Sequence, residues 1–217
     1  MKRVTLFCGH YGSGKSNIAV NYAEKLAGSG LKTALADIDI VNPYFRSADS
    51  KEELEKAGVQ VVALPFANSN VDLPALPQEV YGLVQRRDIH AVLDVGGDDR
   101  GALALGRFAP YILEENDYEM LFVVNFYRPL TGDPESAFEV LKEIETAAGM
   151  QFTGIVNNSN LGEETTKEII EQTVPLTEKL SMLSGLPCVM TTIEDRHSGK
   201  VNVENPFPIR LQKKYYN

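Results

Sequence analysis

Residues Gly9-His10-Tyr11-Gly12-Ser13-Gly14-Lys15-Ser16 satisfy G-x-x-x-x-G-K-[ST], a spacing that suits a phosphate chain. Glycines let consecutive backbone N–H groups turn inward around phosphate oxygens. The helix that follows directs roughly half a positive charge at the same point. The backbone of Gly9, Tyr11, Gly12, Ser13, Gly14 and Asn17 is expected to line this cradle. Lys15 is suited to bridging β and γ phosphates, and the Ser16 hydroxyl to ligating Mg²⁺. The chemistry implied is binding of a nucleoside triphosphate.

Two acidic segments complete the set. Asp37 and Asp39 close the apolar run Thr33-Ala34-Leu35-Ala36, and Asp94 closes His90-Ala91-Val92-Leu93 ahead of Val95-Gly96-Gly97. A carboxylate at the end of a hydrophobic strand, followed by glycines, is the Walker B arrangement that holds Mg²⁺. Asp94 is expected in that role, against the alternative of a turn or capping aspartate. Asp39 is expected beside the metal and near the γ phosphate, where a carboxylate can orient and partly deprotonate the attacking water. One of Asp37 and Asp39 is the alternative candidate for merely bracing the loop.

These residues converge only if the chain forms an open parallel sheet, whose ligands bind beyond the carboxyl ends of the strands. The sequence predicts that sheet. Apolar β-rich runs at Val4–Cys8, Thr33–Asp37, Val59–Leu64, Ala91–Asp94, Met120–Asn125, Thr153–Asn157 and Cys188–Thr192 alternate with helix-like stretches. The helices are expected at Lys15–Ala27, Lys51–Ala57, Pro77–Arg87, Gly101–Leu113, Pro134–Ala148 and Glu163–Leu183. Such alternation predicts an α/β fold of about seven mostly parallel strands with helices on both faces. Asp133-Pro134 supplies an N-cap and a first-turn proline, and Gly149 ends that helix. Residues 1–197 read as one nucleotide-binding domain. The tail from Ser198, with Pro206 and Pro208, reads as an extension either packed on it or mobile.

Composition narrows the partners. A chain of 217 residues with 43% hydrophobic content can bury one substantial core, and its net charge of −9 disfavours nucleic acid and anionic membranes. Arg210, Lys213 and Lys214 form a small basic cluster that reads as a solvated tail. Met1-Lys2-Arg3 leads directly into a short strand rather than a secretory leader, so a cytoplasmic location is expected. Cys8 and Cys188 stand far apart inside apolar runs, and no C-x-x-C suggests a metal or cluster site.

On these motifs the chain resembles the MinD/ParA-type ATPases of the SIMIBI class of phosphate-loop proteins, a group that includes the nitrogenase iron protein. The likeness runs from Met1 to about Asp195. It rests on Gly9–Ser16, on Asp37-x-Asp39 with a following Pro43, on Leu93-Asp94-Val95-Gly96-Gly97, and on Gly154-Ile155-Val156-Asn157-Asn158. The resemblance implies ATP/ADP with Mg²⁺, an adenine contact from Asn158 with Asn157 as its competitor, and a base-flanking loop at Asp195. Where the family carries a signature lysine that reaches a dimer partner's nucleotide, this chain has His10. Imidazole is shorter and mostly neutral at pH 7, so the implied homodimer has weaker support. Arg46 and Arg100 are the substitutes considered for contacting phosphate. Asn157-Asn158-Ser159-Asn160 lacks the aspartate that accepts guanine N1–H and N2–H, which favours adenine.

The leading expectation is therefore an Mg²⁺-dependent ATPase that acts as a nucleotide-controlled switch on a protein partner. One alternative is a small-molecule kinase or ATP-dependent ligase with its acceptor site on Asn42–Arg46, Phe66–Asp72 and Phe126–Thr131. That site would use Tyr44, Phe45, Phe66, Phe126, Tyr127, Arg46 and Arg128. The other alternative is an ATP-binding module without turnover.

Overall fold

The computed structural model describes residues 1–39, 51–63, 78–97 and 99–211. Pro43, Arg46, Lys213, Lys214 and the segments Asn42–Arg46 and Phe66–Asp72 lie outside them. Among the described residues, eight strands pair in parallel in the order β3-β2-β4-β1-β5-β6-β7-β8. They are β1 (Val4–Cys8), β2 (Thr33–Ile38), β3 (Val59–Ala63), β4 (His90–Val95), β5 (Tyr118–Val124), β6 (Gly154–Asn157), β7 (Cys188–Glu194) and β8 (Pro206–Ile209). The helices are α1 (Lys15–Gly28), α2 (Lys51–Lys56), α3 (Gln78–Gln85), α4 (Asp99–Gly106), α5 (Ala109–Glu115), α6 (Pro134–Ala148), α7 (Lys167–Glu171) and α8 (Val174–Ser184).

The apolar runs are explained by burial on both faces. In β1, Val4, Leu6 and Cys8 join one core with α3, α4, α5, α6 and α8, while Phe7 joins a second core with α1 and α2. This is the two-residue period of a strand read by two layers of helix. Burying each Leu, Ile or Phe side chain contributes about 1.5–3 kcal/mol. At the rim opposite the phosphate loop, buried Arg3 pairs with Glu115 and donates to the carbonyls of Val84, Arg86 and Ile89. One guanidinium thereby ties β1 to the ends of α3 and α5.

Three elements differ from the expectation. The predicted helix 101–113 is two helices, α4 and α5, and Pro110 sits in the first turn of the second. The predicted helix 163–183 is likewise divided, with Pro175 opening α8. Proline has no N–H to donate and suits a first turn, so each marks a new start. The eighth strand was not expected, because Pro206 and Pro208 argue against a ladder. As an edge strand it tolerates them. Its Phe207 and Ile209 turn into the α1-side core while both prolines are exposed. Arg210, assigned to a solvated tail, instead exchanges backbone hydrogen bonds with the Asn21 side chain and pairs with Glu24 at 3.1 Å. The cap on α6 is as expected: Asp133 accepts from Ser136 N at 2.9 Å.

Candidate functional site

The strand order places β1 at the centre, with β4 and β2 on one flank and β5, β6 and β7 on the other. Successive strands are added first on one side of β1 and then on the other, and the loop leaving its carboxyl end enters the crevice where open α/β sheets take ligands. That loop is Gly9–Ser16, running into α1. Lys15, Ser16 and Asn17 in the first turn of α1 are buried. The Lys15 ammonium donates to the His10 carbonyl at 3.3 Å, across the mouth of the loop. The His10 ring lies 3.1 Å from the Tyr11 carbonyl, and Tyr11 itself is exposed.

On the β4 flank, Phe7 and Asp37 are both in register with Asp94, so three strand ends meet beside the loop. A Cβ on Gly97 would stand 2.6 Å from Tyr11 N and 2.8 Å from Lys15 Nζ, distances that leave room only for glycine. Gly96 packs somewhat less tightly against Asp39, whose Oδ1 would lie 3.2 Å from an added Cβ. Asp37 accepts from Asp39 N at 3.0 Å, so Asp37 is the one of the pair that braces the backbone. Lys15, Ser16, Asp39 and Asp94 are thus gathered at one place. Arg100 lies in α4, just beyond.

Asp94 is the unusual group. It is 1% exposed, and neither carboxylate oxygen has a hydrogen-bond partner. Burial pushes its pKa up to about 6; Lys15 and the neighbouring Ser16 hydroxyl pull it down, and Asp39 adds to the rise. Ser16 is close enough to favour the charged form but does not reach hydrogen-bonding geometry. A buried carboxylate without a partner is costly and calls for a cation. Beside a serine hydroxyl and a phosphate cradle, hard oxygen donors of this kind fit Mg²⁺. Cys8, at the end of β1, is buried and its thiol is pushed well above the ordinary range by desolvation.

On the opposite flank, the loops after β5 and β6 close against the phosphate loop. Asn158 donates to Ser13 O at 2.5 Å and accepts from the Thr192 hydroxyl of β7. Its Nδ2 occupies the space a side chain on Gly14 would need, and Gly14 has φ +92°. Asn157 turns away and donates to Thr173 at 2.9 Å. Asn158 is therefore the asparagine beside the loop. Asp195 is exposed in the turn after β7, and among the described residues no hydrogen bond links it to the phosphate loop.

Two features were not anticipated. Thr192 anchors the Asn158 carboxamide, a contact visible only once β6 and β7 are adjacent. Arg128, assigned above to an acceptor pocket, lies on the phosphate loop and donates from Nε to Gly12 O at 3.0 Å. Of the other residues named for that pocket, Phe126 and Tyr127 are also placed elsewhere, while Tyr44, Phe45, Arg46 and Phe66 lie outside the described residues. Phe126 is buried in the core, and the Tyr127 hydroxyl donates to Ile169 O at 2.8 Å, so neither side chain is free to line a cleft.

No family model matches this chain, and no curated protein matches it. Solved structures do. The signal recognition particle receptor FtsY from Elizabethkingia anophelis aligns with a TM-score of 0.55 at 19% identity, covering 88% of this chain and 58% of its own. The Signal Recognition Particle 54 kDa protein from Aeropyrum pernix, solved in complex with GDP, aligns at 0.55 and 17%, covering 86% and 40%. The cell division protein ftsY from Thermotoga maritima gives 0.54 and 18%, covering 89% and 62%. The chain thus spans between two fifths and about three fifths of these proteins. Identity this low speaks to architecture. The chain shares with these structures a three-layer α/β/α fold around a parallel sheet.

Proposed function

We propose that this chain is an Mg²⁺-dependent ATP-binding switch that hydrolyses ATP and thereby changes its hold on a protein partner. The observation that carries the reading is the buried, partnerless Asp94 carboxylate beside Lys15 and Ser16. Among the described residues Lys15 and Ser16 offset only part of the cost of burying this charge, and a metal-bound triphosphate would offset more.

Lys15 and the backbone of Gly9, Tyr11, Gly12, Ser13, Gly14 and Asn17 bind and orient the phosphate chain. Ser16 and Asp94, with Asp39 alongside, would hold Mg²⁺, which when bound neutralises charge on the phosphate oxygens. Asp39 orients the attacking water and takes up its proton. Contact between the terminal phosphate and the Gly96-Gly97 segment after Asp94, made with ATP and lost on hydrolysis, is the switch. The partner is a protein, because a net charge of −9 does not suit nucleic acid or an anionic membrane. Among the described residues no helix is long and apolar enough to cross a membrane. Adenine is assigned because residues 157–160 lack a carboxylate for guanine. The GDP held by the Aeropyrum protein makes guanine the competing outcome.

Wild-type protein with Mg²⁺ is expected to bind ADP in preference to GDP in competition titrations. ATP turnover is expected to rise when a partner complex is added. Asp39→Ala is expected to retain ATP while failing to turn it over, so it should capture that partner in ATP-dependent pull-downs. Turnover that requires a metabolite and yields a phosphorylated product would replace the switch with the kinase or ligase reading. Preference for GDP would overturn the base assignment.

A further inference from the structure

We infer that Arg128 covers the nucleoside of the bound nucleotide, packing its guanidinium plane against the base from the β5 side. The inference rests on the nucleotide-binding reading above and assigns the subsite opposite the metal.

The loop has two unlike flanks. The carboxylates Asp94 and Asp39, with Gly96 and Gly97, approach it from β4 and β2. Arg128 and Asn158 approach it from β5 and β6, contacting Gly12 and Ser13 respectively. The terminal phosphates must lie toward the metal-holding carboxylates, so the nucleoside leaves the loop on the β5–β6 flank. Arg128 stands there. Its Nε, Cδ and Cζ would lie 3.6–4.0 Å from a Cβ on Gly12, so the side chain lies along the loop. Nε is held by Gly12 O, and among the described residues the two terminal nitrogens make no hydrogen bond.

The side chain is presented by a braced turn. Asn125, 1% exposed, accepts from Arg128 N at 3.1 Å and from the Thr131 hydroxyl at 2.8 Å through its carbonyl. Its side chain accepts from Tyr127 N and donates to Asn160 O, and Phe126 N donates to the Ser159 hydroxyl. The loops bearing Arg128 and Asn158 are thereby fused into one wall. A planar, weakly hydrated cation held in this way suits the face of a purine, and stacking on it tolerates either base.

The test compares three probes by isothermal titration with Mg²⁺: ADP, ATP and inorganic tripolyphosphate. Arg128→Ala is expected to weaken ADP and ATP alike, by about tenfold, and to leave tripolyphosphate unchanged. Arg128→Lys, which keeps the charge without the plane, is expected to remain weakened toward both nucleotides. Loss of ATP and tripolyphosphate binding with ADP spared would overturn the inference in favour of a terminal-phosphate contact. Equal loss of all three would reduce Arg128 to a brace for the loop, and no change in any would also overturn it. Failure of the wild type to bind ADP or ATP would instead defeat the nucleotide reading itself.

Discussion

Lys15→Ala is expected to lower affinity for Mg²⁺-ATP by about a thousandfold, the equivalent of roughly 4 kcal/mol. The size follows from what the ammonium balances. Lys15 is 6% exposed and lies near a carboxylate that it helps to keep ionised. Without it, the described groups acting on Asp94 are the like-charged Asp39 and a neutral hydroxyl, so an incoming triphosphate meets net negative charge in a poorly solvated cleft. Isothermal titration reads the affinity, and circular dichroism checks that the variant keeps its fold. Unchanged affinity in a folded variant would remove the phosphate-loop role.

What was legible in advance was local. The loop Gly9–Ser16 and the aspartates at the ends of β2 and β4 carry their chemistry within a few residues, and strand-end placement follows from apolar runs that stop there. The rest depended on adjacency. Arg128 and Gly12 are 116 positions apart, and only the pairing of β5 with β1 brings the turn after β5 onto the phosphate loop. The choice between Asn157 and Asn158 is a matter of pleat. Asn157 is the last residue of β6 and points to the face that carries Thr173, so the next residue points to the loop. The eighth strand escaped because its prolines argue against pairing, and nothing local says that they would occupy an edge. Pro110 and Pro175 were misread in the other direction, since a helical pattern across each concealed a break that proline chemistry itself announces.

Asp94→Asn is expected to have effects of opposite sign on stability and on function. In the apoprotein, burial raises the Asp94 pKa from 3.8 to about 6, so the folded state holds this proton more tightly than the unfolded chain. The ionised carboxylate therefore costs nothing below about pH 4. The cost grows between about pH 4 and 6 and is complete above that, at about 3 kcal/mol. An asparagine carries no charge, and its own unpaired amide offsets part of the gain, leaving about 1–2 kcal/mol. At pH 7.5 in EDTA the variant should melt several degrees above wild type, and at pH 4 the advantage should vanish. With Mg²⁺-ATP the order should reverse. Saturating ligand stabilises wild type by about 3 kcal/mol at a hundredfold excess over its dissociation constant, whereas the variant, short of a carboxylate for the metal, should gain far less. A variant that melts below wild type in EDTA at pH 7.5 would mean that the carboxylate contributes to the fold. One that keeps the full shift with Mg²⁺-ATP would mean that the metal is held elsewhere. A destabilising charge retained at the carboxyl end of a central strand, relieved by one class of ligand, couples occupancy of the cleft to the stability of β4. The same strand leads through Gly96 and Gly97 to α4, so that coupling gives the nucleotide a direct route to the surface a partner would read.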